Sequence, residues 1–145
     1  MKKIIAFGCD HAGLPLKETL KNFALEQGYD VLDVGTQTLE SCDYPTFANK
    51  LCDAILNKEA DLGVLVCGTG IGMCIAANRH KGIQAALCHT EYEAKMARCH
   101  NHGNVICFGS RVIGDELAIS CLEAFLTQEP SNDGRHQRRV QLMNV

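Results

Sequence analysis

Residues 62–72 read LGVLVCGTGIG, a continuous apolar run followed by glycine at every second position. Such a run is typical of a strand that is buried on both faces of a sheet. Four further runs occur along the chain: Ile4 to Phe7, Val31 to Val34, Gln84 to Cys88 and Val105 to Phe108. Between the runs, apolar residues recur at helical spacing, as at Leu16, Leu20 and Ala24. This alternation predicts an α/β fold, a three-layer αβα Rossmann-like sandwich around a five-stranded parallel sheet.

Local signals mark where individual helices begin and which face they bury. Asp43 can cap a helix that has Pro45 in its first turn, and the segment Thr90 to Glu93 has the form of a capping box. In the last long helix the apolar positions predict a buried face made of Leu117, Ala118, Cys121, Leu122 and Phe125.

Composition limits the class of protein. The 145 residues are 46% hydrophobic, which suits one domain spanning residues 1–145, with a polar and basic tail from 130 to 145. The net charge of −3 predicts no broad positive surface for nucleic acid or an anionic membrane. The first apolar run stops at Asp10, too early for a signal peptide, and no run has transmembrane length.

The nine cysteines are an odd number and lie within apolar stretches. This usage is typical of a reducing cytoplasm, where thiols stay free. No Cys or His spacing matches a zinc site, so we expect no metal.

In a parallel α/β sheet, ligands bind beyond the carboxyl ends of the strands. Asp10 and His11 follow the first strand, the glycine loop follows the third, and Arg111 follows the fifth. We expect these residues to gather at one edge of the sheet, together with the segment 100–102, which follows the fourth helix.

The glycine loop suits an anion, because its backbone N–H groups can point inward at the start of a helix. It is not a dinucleotide fingerprint, since Met73 stands where the last glycine would be, and it lacks the lysine of a Walker loop. A tight turn without chemistry remains an alternative. Cys67 is either a packing residue or a thiol activated by the helix that follows, with Cys9 as its rival.

Two arginines in the tail, Arg135 and Arg139, are four residues apart and share one face if the segment is helical. Two such guanidinium groups suit a single phosphate, and Arg138 would then point elsewhere. A solvated basic face, or a contact to nucleic acid, is the alternative.

Taken together, these motifs resemble ribose-5-phosphate isomerase type B, in a superfamily that also holds galactose-6-phosphate and allose-6-phosphate isomerases. The resemblance covers essentially the whole chain, in order. Its motifs are residues 8–11 (GCDH), 43–45 (DYP), 67–72 (CGTGIG), 76–78 (AAN), 100–101 (HN), 108–111 (FGSR) and 134–139 (GRHQRR).

The resemblance implies interconversion of D-ribose 5-phosphate and D-ribulose 5-phosphate through an enediolate, in the pentose phosphate pathway. It implies that Cys67 is the base, that His100 opens the sugar ring, and that Thr69 and the loop amides hold the enediolate. The implied substrate-binding residues are Asp10, His11, Gly68, Thr69, Gly70, Ile71, Gly72, Asn101, Arg111, Arg135 and Arg139. No metal or cofactor is implied.

The resemblance also implies a cytoplasmic homodimer or dimer of dimers, with the active site at the interface and a sheet of strand order 2-1-3-5-4. The implied partner is a small sugar phosphate, with no nucleic acid and no membrane. His80, His89, His102 and His136 receive no role and are expected to be surface or packing residues. The alternatives are an isomerase of six-carbon sugar phosphates, or a sugar-phosphate or nucleotide sensor without a catalytic base.

Overall fold

The computed structural model describes residues 2–145 and contains a parallel sheet between layers of helices. The strands are β1 (Ile4–Cys9), β2 (Asp30–Asp33), β3 (Leu62–Cys67), β4 (Ala85–Leu87) and β5 (Val105–Gly109). The helices are α1 (Leu14–Glu26), α2 (Tyr44–Leu56), α3 (Ile71–Ala77), α4 (Glu91–Cys99), α5 (Asp115–Thr127) and α6 (Gly134–Met143). The strand order is β2-β1-β3-β5-β4, and all pairs are parallel. The predicted fold class and strand order are confirmed.

Successive side chains of the central strands enter opposite layers, because strand side chains alternate between faces. On one face, Val64 packs with residues of α1, α4 and α5, such as Leu20 and Phe125. On the other, Leu65 and Cys67 pack with residues of α2 and α3. The side chain of Cys67 therefore belongs to the α2 and α3 layer.

The helices follow the sequence signals, with one difference at a helix start and one at a predicted buried face. The predicted capping box at Thr90 is confirmed, since its hydroxyl accepts the Glu93 N–H at 3.1 Å. Asp43 occupies the N-cap position of α2, but its side chain makes no capping hydrogen bond. Leu117 was expected in the core and is 46% exposed, because it lies on the outer face of α5.

The side chain of Asn78 completes the backbone hydrogen bonding on the outer side of β4. The Asn78 amide donates to the Ala85 carbonyl at 2.9 Å and accepts the Ala85 N–H at 2.8 Å. One amide side chain thus satisfies both backbone groups of Ala85, as a neighbouring strand would.

The last helix, α6, has no buried residue within its own chain. It is fastened at its end by Asn144, which accepts the Gly82 N–H at 2.7 Å and donates to Gln84 Oε1 at 2.7 Å. These contacts place the end of α6 where β4 begins. Within the part of the chain that the structure describes, no helix is long and apolar enough to cross a membrane.

A buried lysine joins α1 to the end of β2. Lys17 is 0% exposed, and its Nζ contacts Asp33 Oδ2 at 2.6 Å and Glu18 Oε1 at 2.7 Å. Lys21 also contacts Asp33, at 2.9 Å. The Asp33 carboxylate accepts the Gly35 N–H as well, at 3.0 Å, so this network holds the start of the loop that follows β2.

Candidate active site

Cys67 ends β3 and lies beneath the glycine loop, with 5% of its surface exposed. Its Sγ accepts the Gly70 N–H at 3.2 Å. Gly70 has φ of +79°, a left-handed conformation that favours glycine, and a Cβ there would lie 2.6 Å from Leu87 Cδ1. The turn thus aims a backbone donor at the sulfur, where it can stabilise negative charge.

The loop is tied to the turn after β5. The Arg111 N–H donates to the Gly68 carbonyl at 3.0 Å, and the Ser110 N–H donates to the Cys67 carbonyl at 2.9 Å. A Cβ on Gly68 would lie 3.1 Å from Arg111 Nη1, so this guanidinium covers the loop in its own chain. The exposed Thr69 hydroxyl accepts the Ile71 N–H at 3.2 Å and keeps its own hydrogen for a ligand.

Asp10 and His11 follow β1 beside the end of β3. The Asp10 N–H donates to the Val66 carbonyl at 3.3 Å, and Asp10 Oδ1 accepts the Gly13 N–H at 3.0 Å. His11 Nδ1 accepts the Cys42 N–H at 3.2 Å, which leaves the ring proton on Nε2. His11 is therefore held as a donor through Nε2.

Tyr44 is a further neighbour of this site that the sequence reasoning left without a role. A Cβ on Gly72 would lie 2.5 Å from two atoms of the Tyr44 ring, so the ring rests on the first turn of α3. Tyr44 is 38% exposed and is the first residue of α2. The only signal was the motif at 43–45, which looked like a helix start.

The structure contradicts the expectation that the segment 100–102 joins this edge of the sheet. Helix α4 runs back from the carboxyl ends of the strands, so His100 follows it at the amino ends. There Val105 pairs with Gly63, whereas Cys67 pairs with Gly109 four residues later, roughly 13 Å along the strand. His100, Asn101 and His102 are thus separated from Cys67 within one chain.

A second group of predicted site residues gathers around His100. The rings of His100 and His136 are stacked, with centroids 4.3 Å apart and planes at 30°. The basic tail forms the helix α6, on which Arg135 and Arg139 are exposed one turn apart. The sequence analysis gave His136 no role, although it stands between these arginines in the sequence.

Asn101 lines a cavity of about 450 Å³ at the same edge. Its other lining residues include Arg79, Lys81 and Asn144, but not Cys67. This concave space and the glycine loop are therefore separate features of the single chain.

The environments of the other thiols correct one expectation. Burial raises the pKa of Cys9 to about 12, and its side chain is 0% exposed, so Cys9 is no rival to Cys67. The Cys107 thiol donates a hydrogen bond to Cys74 and lowers the pKa of that thiol to about 7. Cys74, on α3, is the thiol that the sequence analysis missed.

Among residues 2–145, no three His, Cys, Asp or Glu side chains are grouped so that they could hold a metal ion.

A sequence model described as ribose/galactose isomerase matches residues 5–143. The chain belongs to this isomerase family. It is 47% identical over 145 residues to ribose-5-phosphate isomerase B of Escherichia coli, covering 100% of this chain and 96% of that protein. It is 44% identical over 131 residues to a D-erythrulose-4-phosphate isomerase of Pectobacterium atrosepticum, covering 90% and 86% of the two chains.

Solved structures of isomerase family members have the same fold. A ribose 5-phosphate isomerase from Thermotoga maritima matches with a TM-score of 0.95 and 46% identity, over 99% of both chains. The type B enzyme from Trypanosoma brucei matches with a TM-score of 0.96 and 40% identity, over 99% of this chain and 98% of that chain. The resemblance inferred from the sequence motifs is confirmed at the level of the family.

Proposed function

We propose that this member of the isomerase family interconverts D-ribose 5-phosphate and D-ribulose 5-phosphate, in a site built from two copies of the chain. The proposal is supported by the relatives named as ribose-5-phosphate isomerases over nearly the full chain. The observation that carries the mechanism is the buried thiol of Cys67 under an N–H donor at a strand end.

In this mechanism Cys67 removes a proton from C2 of the open-chain aldose and returns it to C1. The hydroxyl proton of O2 moves to O1, so the C1 aldehyde becomes an alcohol and C2 becomes the ketone. Negative charge develops on the substrate oxygens as the enediolate forms. The amides of residues 68–72 and the Thr69 hydroxyl are fixed before the reaction, so they can stabilise that charge without reorganising. Asp10 and His11, beside the same strand end, orient substrate hydroxyls.

His100 is assigned to opening of the furanose ring, since imidazole can transfer protons in both directions near neutral pH. Cys67 and His100 lie at opposite edges of the sheet. A complete site therefore needs the His100 of a second copy next to Cys67, with Asn101 beside it. Arg135 and Arg139 arrive on the same α6 and bind the phosphate, which gives the tail 130–145 its role.

A homodimer, or a dimer of dimers, is supported by apolar side chains that the single chain leaves uncovered. Ile71 and Ile75 are each 53% exposed and lie one turn apart on α3, next to the glycine loop. Leu142 and Met143 of α6 are 64% and 55% exposed. Association of two copies would remove these groups from water and close the site between them.

In this proposal residues 1–145 act as a single domain. A reducing cytoplasmic compartment is supported by the nine cysteines, all of which are free. The pathway is the non-oxidative interconversion of pentose phosphates.

The alternative functions differ in substrate or lack turnover. Because one relative is named for a four-carbon ketose phosphate, D-erythrose 4-phosphate belongs in the test with six-carbon aldose phosphates. Ketose formation by the purified protein should show the highest kcat/KM with D-ribose 5-phosphate and none with Cys67→Ser. If another sugar phosphate gives a higher kcat/KM, that compound is the substrate instead. Binding without turnover would favour a sensor.

A further inference from the structure

His136 has a fixed environment although the mechanism above leaves it unused. Its ring is stacked on that of His100 with 4.3 Å between centroids. Its Nδ1 lies 3.0 Å from Ser131 Oγ. The ring thus joins α6 to the end of α4, where His100 is the C-cap residue.

Ser131 is held by backbone and side-chain contacts. Its N–H donates to the Cys99 carbonyl at 2.9 Å, and its carbonyl accepts from His102 Nε2 at 3.1 Å. Its Oγ accepts the Asp133 N–H at 3.0 Å. The segment between α5 and α6 is therefore docked on the same turn that presents His100.

The Ser131 hydroxyl can act as a hydrogen-bond donor toward His136. Its Oγ accepts the Asp133 N–H and can donate its own hydrogen to His136 Nδ1. In this arrangement His136 is the neutral tautomer with its proton on Nε2.

Most of the charged groups around the His136 ring lower its pKa. Partial desolvation lowers the pKa of His136, and the neighbouring charges of His100, Arg135 and Arg139 lower it further. Asp133 alone opposes this effect. The lowered pKa favours a neutral His136 ring in the stack at neutral pH.

We propose that His136 is a positioning residue for ring opening, a neutral platform that fixes the His100 imidazole by stacking and transfers no proton itself. This inference rests on the proposed isomerase function. General acid–base catalysis requires the ring nitrogen within hydrogen-bond reach of the substrate oxygen, and a C-cap side chain without a platform would sample other rotamers. The interaction energy of a stacked aromatic pair is large enough to favour one orientation of the His100 ring.

The test compares both directions of the reaction in variants of the full chain. His136→Ala should lower kcat with D-ribose 5-phosphate about tenfold, the effect expected from losing one stacked pair. Its KM should stay within about twofold. With D-ribulose 5-phosphate, which cannot close to a furanose, kcat should change by less than about threefold.

Rescue distinguishes stacking from other roles. His136→Phe keeps a ring of similar size and cannot carry a proton, so it should restore kcat to within about threefold of the natural chain. Arg138→Ala, on an exposed position of the same helix, is the matched control and should leave both directions unchanged. If His136→Phe is as slow as His136→Ala, the platform role is wrong.

Ser131→Ala is the variant that leaves both rings in place if loss of the His136 ring unfolds α6. Nitrogen-15 NMR of the histidine rings should show His136 with a proton on Nε2 near neutral pH, and removal of the hydroxyl should alter its Nδ1 resonance. A proton on Nδ1, or a charged His136, overturns the proposal. Absence of isomerase activity in the natural chain would overturn the proposed function instead, while the NMR result would still report on the stack.

Discussion

The thiols of this chain differ because each sulfur has different neighbours. Cys67 receives an N–H from the loop above it, and Cys74 receives a hydrogen bond from Cys107. Burial raises the pKa of Cys52 and of Cys88 to about 12, as it does for Cys9. Only the thiolate is a good nucleophile, so these environments predict an order of reactivity.

We therefore expect a small alkylating reagent to label Cys74 with a pH profile centred near 7, because its pKa is about 7. Cys9, Cys52 and Cys88 should remain unlabelled over the same period. Inactivation should follow labelling of Cys67 and be slowed by D-ribose 5-phosphate. Peptide mapping at several pH values makes the measurement.

Cys74→Ser is the control for this experiment. It should remove the labelling centred near pH 7 and leave the inactivation by Cys67 labelling in place. If Cys74→Ser abolishes inactivation as well, Cys67 is not the base and the mechanism needs another group.

The role of Cys67 could be suggested from sequence because all its determinants are local: a strand end, then glycines. The low pKa of Cys74 could not, because its main cause is a thiol on β5, and only the folded sheet brings α3 over that strand. The position of Tyr44 could not be predicted either, because its ring, on α2, contacts Gly72 of α3 only in the folded protein.

At the scale of single elements, α6 entered the sequence analysis only as a condition, since Arg135 and Arg139 share one face if the tail is helical, and a helix is present at Gly134–Met143. Its position was not predicted. A helix that connects two parallel strands must return the chain to the edge where the strands begin, so residues after α4 cannot lie where β3 ends. The expectation that His100 lies beside the glycine loop is wrong for this reason.

The arginines of α6 give a prediction for substrate affinity. Arg135→Ala and Arg139→Ala should each raise KM for D-ribose 5-phosphate about 10- to 100-fold, since a hydrogen bond to a charged group contributes roughly 1.5–3 kcal/mol. Arg138→Ala should leave KM unchanged, because the proposed phosphate site does not include Arg138. Steady-state kinetics measure KM for each variant. Equal effects at all three positions would indicate a diffuse basic surface instead of a phosphate site.

The contact between α1 and β2 gives a prediction for stability and pH. Burial raises the pKa of Asp33, but hydrogen bonds from Lys17 and Lys21 outweigh this and hold it below its usual range. The stabilisation is therefore complete above the ordinary carboxyl pKa and is lost as pH falls through the lowered value. The gap in unfolding free energy between the natural chain and Asp33→Asn should be constant from pH 6 to pH 8 and shrink below about pH 4.

Lys17→Met tests the other side of this ion pair. Removing one partner of a buried pair costs about 3–5 kcal/mol, and the lower end is expected because Lys21 still contacts Asp33. Denaturant unfolding at neutral pH measures the loss. A variant as stable as the natural chain would show that the buried lysine contributes nothing net.

For the whole molecule, the proposed site requires that two copies exchange residues. Cys67→Ser and His100→Ala should each be nearly inactive alone. When the two variants are mixed and reassembled, half of randomly formed dimers are hybrids with one intact site of two, so about a quarter of the activity of the natural chain should return. No recovery, with hybrid dimers present, would mean that each chain builds its own site.

The sheet order could be expected from the family resemblance, and the division of site residues between the two ends of the strands follows from the parallel connections, but the register of each strand pair could not be predicted. In the register of β3 and β5, Val105 lies opposite Gly63 and Gly109 lies opposite Cys67. No local pattern in the sequence carries that register, because it depends on pairing between distant segments.

The amide of Asn78 has one more effect, on how copies of this molecule can stick together. An outer strand normally offers unpaired N–H and C=O groups on which another chain can build, and such growth leads to aggregates. Beyond β4 the Ala85 pair is already taken by Asn78, and β4 itself is only three residues long. Growth of the sheet from this side is therefore blocked at the first residue of β4 by a single side chain.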